Sequence, residues 1–228
     1  MEKVWLYKLD KAEYPKAPFS PSVLYPELEK LNLVISEHST NEVYDTIRCS
    51  LYNMGLDKEN YGTRNWNPMG EMIGKGENVL LKPNLVYHKH PYGESEMLSM
   101  ITNASVLRPI IDYILLATEG DVDIKIGDAP IQGGDFNEAC RIAGVLELQS
   151  YYRKQGIDIE LVDMRMVRAV PNKMEIYEKR IYQRGREKYR VVDLKEKSEL
   201  MEKMDRVKRF EITDYGFGAV RKHHSMEK

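Results

Sequence analysis

The chain has 228 residues, of which 42% are hydrophobic and 31% charged, and a formal net charge of −2. That balance suits one large α/β domain, or a domain with an appendage, and argues against wholesale disorder. No apolar run reaches the ~18 residues that a membrane-spanning helix needs, and the opening MEKVWLYKLDKAEYPK lacks a signal-peptide core, so a soluble, cytoplasmic protein with no membrane partner is expected.

Residues 1–37 read as an irregular arm over the core, because Pro15, Pro18, Pro21 and Pro26 interrupt any long element. From residue 38 the pattern is that of an α/β core domain reaching residue 165. Its first element is a helix over STNEVYDTIRCSLYNMG. Ser39 and Glu42 have capping-box spacing, Tyr44, Ile47, Leu51 and Met54 recur at helical intervals, and Gly55 suits the C-terminal cap. The long polar connection that follows holds Trp66, read as a core plug beside Pro68 in preference to a stacking platform.

From Asn78 strands and helices alternate. NVLLKPN reads as a strand. A helix starting near Pro109 and closed by Gly120 comes next, then a strand over VDIKIGDAP. A second helix is capped by Asp135 and Glu138 and stopped by Gly156, and the strand IDIELVDMR completes the series. The expected core is Val79, Leu80 and Leu81 in the first strand, Ile124 and Ile126 in the second, Ile159 and Leu161 in the third, with Ile110, Ile114, Ala139, Ile142 and Ala143 from the helices. This β-α-β-α-β order predicts a mostly parallel, three-layer α/β fold with helices on both faces. Cys49 and Cys140 fall at helical positions outside any C-x-x-C, so small core residues are expected and no zinc site or iron–sulfur cluster.

Residues 166–228 differ in charge. They hold 17 Lys and Arg against 11 Asp and Glu, whereas residues 1–165 hold 17 against 25. The signs alternate, which marks a solvated face and makes nucleic acid a minor hypothesis. EIYEKRIYQ and KYRVVDL read as strands joined by a turn at RGRE, KSELMEKM as a short amphipathic helix and VKRFEITDY as a further strand. The segment is expected to be a mixed α+β appendage, and an incomplete one, since the chain stops at GFGAVRKHHSMEK without a closing element.

In open parallel sheets ligands bind beyond the carboxyl ends of the strands, where loops diverge and helix N-termini point inward. The three apolar strands all turn polar at that edge. The first gives Lys82 and Asn84, then His88 and His90. The second gives Asp128, followed by Gln132, Gly133 and Gly134, and the third gives Asp163 and Arg165. Lys82 can clamp a phosphate or carboxylate or simply reach solvent, with a Schiff base, which needs a lowered pKa, the lesser alternative. Asn84 can be a turn residue. Asp128, in GDAP, can be a turn residue or helix-capping partner, or equally a base or ligand. Asp163 and Arg165, two apart on one strand, can form a structural ion pair or serve a site. QGGDF resembles a phosphate loop only loosely, and His88 with His90 lacks a local third zinc ligand.

These residues also carry a resemblance. VLLKPNLV, an apolar helix, IKIGDAPIQGGDF and VDMR resemble the uncharacterised "domain of unknown function 362" family. STNEVYDTIR and YGTRNWNPMGEMIGKGENVLLKPN resemble a subgroup associated with bacterial polysaccharide gene clusters. The resemblance spans about residues 38–165 and extends through DYGFG. It implies an α/β domain distantly similar to the nickel-dependent lactate racemase group, with no settled activity. Some members add ferredoxin-like cysteine clusters, which this chain lacks. Members usually continue into a second conserved segment with lysines and a histidine, which is not found before Lys228; the chain is then expected to be inactive or half of the protein.

Two functions stay open. One is an enzyme or enzyme fragment acting on a small anionic metabolite, phosphorylated or sugar-linked. Lys82 and Asn84 would hold the anion, Asp128 or Asp163 would act as base or as ligand to magnesium, and Arg165 would orient it. The other is a non-catalytic binding or assembly module working through the basic C-terminal segment. No oligomeric state follows from the pattern.

Overall fold

Three parallel strands organise the computed structural model of the protein, which describes residues 5–9, 13–33, 40–172, 177–182, 197, 209–210 and 226–227. β1 (Glu77–Leu81), β2 (Val122–Asp128) and β3 (Ile159–Asp163) lie side by side in chain order. Val79 stands beside Ile124 and Ile159, and Leu81 beside Ile126 and Leu161. Because side chains alternate across a strand, this register gathers the branched apolar residues on one face. Ile124, Ile126 and Ile159 are buried there, and Val79, Leu81 and Leu161 pack against the same core.

The opposite face carries Leu80 beside Lys125 and Glu160. Lys125 bridges Glu160 (2.7 Å) and Asp123 (3.4 Å), and Leu80 is 50% exposed. Leu80 is therefore not a core residue: the two-residue period of the strand points it away from Val79 and Leu81.

Helix boundaries differ from the sequence reading at three places, each for a local reason. α1 (Glu42–Asn53) is capped by Asn41, whose side chain accepts from the Tyr44 amide at 2.9 Å, instead of by Ser39, which lies outside the described residues. α2 (Ala104–Thr118) begins well before Pro109, because Asn103 caps it and leaves the proline inside the helix. It ends at Glu119 and Gly120, both at positive φ. The third helix is two: α3 (Phe136–Ala143) and α4 (Val145–Lys154) meet at Gly144, whose φ of 79° breaks the helical path.

The N-terminal segment enters this core instead of only lying over it. Phe19, Glu27 and Leu28 are buried. Glu27, in a 3-10 helix at Pro26–Leu31, accepts from Arg48 Nε (2.7 Å) and Tyr113 Oη (3.0 Å). Arg108 donates to Asp112 (2.9 Å), to the Pro18 carbonyl (2.8 Å) and to Tyr151 (3.0 Å), while Tyr44 and Tyr152 donate to Asp112 at 2.9 and 2.6 Å. Trp66 fills the space between, its indole edge against Tyr113 and its N–H on the Leu56 carbonyl.

Burial, reinforced by Asp112 and Glu27, raises the ionisation of Tyr44, Tyr113 and Tyr152 well above the ordinary phenol range. A folded-state value above the unfolded one contributes stability that is complete below about pH 10 and is lost as the pH climbs past it. We expect these phenols to ionise only as the fold opens. The share of tyrosinate absorbance due to these three should then appear together with loss of helical circular dichroism, in one cooperative alkaline transition. A smooth tyrosinate rise to full amplitude with the helical signal intact would contradict the packing described.

The chain divides into two compact units, Met1–Met164 and Arg165–Lys228. In the second, β4 (Val167–Pro171) pairs antiparallel with β5 (Tyr177–Tyr182), so the strand expected at EIYEKRIYQ takes a partner upstream of it. RGRE, KYRVVDL and all of KSELMEKM but Lys197 lie outside the described residues. Arg209–Phe210 pairs with Met226–Glu227. Among the described residues no helix is long and apolar enough to cross a membrane.

Candidate functional site at the carboxyl edge of the sheet

β1 leaves the sheet where Pro83 removes a ladder donor. The loop that follows doubles back on itself: Leu85 bridges Ile101 antiparallel, and Asn84 uses its carbonyl and amide on Thr102 (2.8 and 3.1 Å). Lys82, at the root of this loop, reaches across to the end of β2. Its ammonium lies 2.7 Å from Asp128 Oδ1; the lysine side chain is 54% exposed and the aspartate only 7%. Asp128 Oδ2 accepts the Leu85 amide at 2.6 Å. One buried carboxylate thus holds both the cation and the backbone of the loop. A buried carboxylate demands such pairing, since leaving it unpartnered is costly.

Asp163 ends β3 directly beside Asp128 in the parallel register. Neighbouring strands lie ~4.8 Å apart, and both carboxylates alternate to the same side as Ile124, Ile126 and Leu161. Cys140 of α3 senses them. Its thiol is pushed up to about 12, mainly by burial and then by the charges of Asp163, Asp128 and Asp135. Such a thiol stays protonated and unreactive. Cys49 and Cys140 are both free, Cys140 buried and Cys49 half-buried. β3 stops at Asp163, so Arg165 is not its strand-mate two residues on: it opens the second unit, where it is buried.

The β2–α3 loop meets the β1 loop. The Ile131 amide donates to the Val86 carbonyl at 3.1 Å, and the Asp135 amide to His88 Nδ1 at 3.0 Å. Gln132 and Gly133 form the turn, with Gly133 at φ 81°. Gly134 is there for packing: a Cβ would come within 2.9 Å of the Ile131 carbonyl and 3.2 Å of the Tyr87 ring, and its amide already donates to Ile131 at 3.0 Å. His90 accepts from the Tyr92 amide (3.2 Å), so the two histidines serve different backbone groups.

The structure therefore brings Lys82, Asp128 and Asp163 to one edge, with the backbone of Asn84 and the His88 loop beside them. Magnesium does not fit Asp128 as it stands, because the Lys82 ammonium occupies the position a cation would take and the second oxygen holds Leu85. Among the described residues no group of three or more His, Cys, Asp or Glu is placed to hold a metal ion. The sequence reading missed Thr102 and the Leu85 amide. The amide carries no side-chain signal at all, and Thr102 lies 18 residues from its partner Asn84.

The chain matches no protein-family model, no curated protein and no solved structure.

Proposed function

We propose that the protein is a cytoplasmic enzyme or enzyme fragment that binds a small anionic metabolite, phosphorylated or sugar-linked, at the carboxyl edge of its parallel sheet. Lys82 makes the anion contact. The observation that carries this reading is the Lys82–Asp128 pair: a half-exposed ammonium fixed by a buried carboxylate where the strand-end loops diverge. An ammonium has three donors, and Asp128 engages one. Asp128 then serves as a positioning residue, since both its oxygens are engaged, and Asp163, beside it at the end of β3, takes the role of base. Asn84, Gln132 and Gly133 line the loops around the anion.

The resemblance of residues 38–165 to the domain of unknown function 362 family belongs to the same proposal, supported by the K-P-N and G-D-A-P elements. So does a second helical layer, with a mixed α+β appendage beyond it. Half-exposed Leu80 in a parallel sheet supports the layer, since such sheets bury both faces.

Calorimetric titration with inorganic phosphate and with sugar phosphates, each with and without magnesium, tests the site. Losing one charge-assisted contact is worth roughly 1.5–3 kcal/mol, so Lys82→Ala should weaken binding about 10- to 100-fold, and Lys82→Arg should restore part of it. The thermal midpoint of each variant checks folding. Unchanged affinity in Lys82→Ala would refute the site. If reversing the basic charges within residues 179–190 abolished partner binding while Lys82→Ala did nothing, the assembly reading would replace it.

A further inference from the structure

The loop that carries Lys82 is tied to α3 by an imidazole acting as an acceptor. His88 Nδ1 takes the amide proton of Asp135, the capping residue of α3, at 3.0 Å. The Asp135 side chain in turn accepts from the Glu138 amide, and Glu138 is paired with Arg141, which also reaches Glu94 farther along the same loop (3.4 Å). A ring nitrogen can accept a hydrogen bond only while unprotonated. We propose that His88 is a pH-sensitive latch, closed when its imidazole is neutral and released when it binds a proton.

The charged surroundings set how far the latch opens. From α3 the ring acts electrostatically on the Glu138 carboxylate, which is paired with Arg141; from its own loop it stands by the Tyr87 ring at 4.9 Å, with Lys89 and His90 next in sequence. The Glu138 carboxylate attracts an imidazolium but is already paired with Arg141, and Asp135 Oδ1 accepts from the Glu138 amide. Protonation therefore removes this bond even where the ring stays nearby. Imidazole titrates near pH 6.5, so acidification through that range frees the β1 loop from the head of α3. The site that the proposed function assigns to Lys82 and Asn84 then loses one of its ties, and the backbone bond from Ile131 to Val86 remains.

Amide hydrogen exchange of the protein without ligand tests the latch, so its outcome is independent of whether any anion binds. The protection factor of the Asp135 amide, corrected for intrinsic exchange, should fall roughly 5-fold between pH 8 and pH 5, as loss of about 1 kcal/mol of hydrogen bonding implies. Asn at position 88 places an oxygen where Nδ1 stands but does not titrate. His88→Asn should therefore keep its protection at both values, and His88→Ala should show low protection at both. Unchanged protection of the wild-type amide across this range would overturn the proposal, as would a pH step that survives in His88→Asn.

Discussion

Replacing Asp112 by alanine should destabilise the protein by on the order of 3–5 kcal/mol, the cost of breaking a buried ion pair from one side. Asp112 and Arg108 are fully buried one helical turn apart on α2. The carboxylate also receives the hydroxyls of Tyr44 and Tyr152. Its removal leaves a guanidinium without its counter-charge and two phenols without acceptors in one dry region. Arg108 keeps the Pro18 carbonyl and the Tyr151 ring and hydroxyl, which cannot offset a full charge. Urea unfolding followed by circular dichroism gives the number. Replacing both members, Arg108→Met with Asp112→Leu, should recover part of the loss, because no unpaired charge then remains buried. A loss under about 1 kcal/mol for Asp112→Ala would mean that water reaches this pair in solution.

Gly144→Ala should cost about 2–5 kcal/mol, from two separable sources. The backbone there has φ 79°, a left-handed conformation that costs a residue with a Cβ roughly 1–2 kcal/mol. The added methyl would also stand 2.7 Å from Phe19 Cζ, and overpacking of this kind costs typically 1–3 kcal/mol. Phe19 cannot easily yield, since it is itself buried and held at φ 60°. A double-mutant cycle separates the terms. In a Phe19→Ala background the clash is gone and only the backbone term of Gly144→Ala should remain. Equal costs in both backgrounds would show that Phe19 does not bear on this turn.

The sheet was legible because its signals are local. Val79–Leu81, Ile124–Ile126 and Ile159–Leu161 are short branched runs separated by helical patterns, and that alternation implies parallel strands. The placing of Lys82, Asp128 and Asp163 at one edge follows from the same topology. Their pairing does not: the reach of Lys82 onto Asp128 links neighbouring strands across 46 residues of sequence, which no periodicity encodes. The break at Gly144 was hidden because a glycine inside an amphipathic run is tolerated in a helix, and only its approach to Phe19, far upstream, makes it a corner. Pro109 misled in the opposite way. It suits a first turn, but Asn103 supplied a stronger start one and a half turns earlier. The buried polar cluster was least visible of all. Arg48, Arg108, Glu27 and Asp112 are ordinary surface residues by type, and although Arg108 and Asp112 are one helical turn apart, the contacts that bury them reach 21 to 90 positions along the chain.

Those distances bear on how the polypeptide closes as it is made. Pro18 and Glu27 leave the ribosome well before Arg108 and Tyr113, which complete their bonding and emerge 90 and 86 residues after them. Until then the first segment has nowhere to bury Phe19 and Leu28. Contacts so remote in sequence close slowly, because the entropy of the intervening loop is lost before any reward arrives. The apolar segment around Phe19 and Leu28 therefore stays sticky until α2 has been made, and a bulky insertion near residue 18 would interfere with a late step of assembly, not the first.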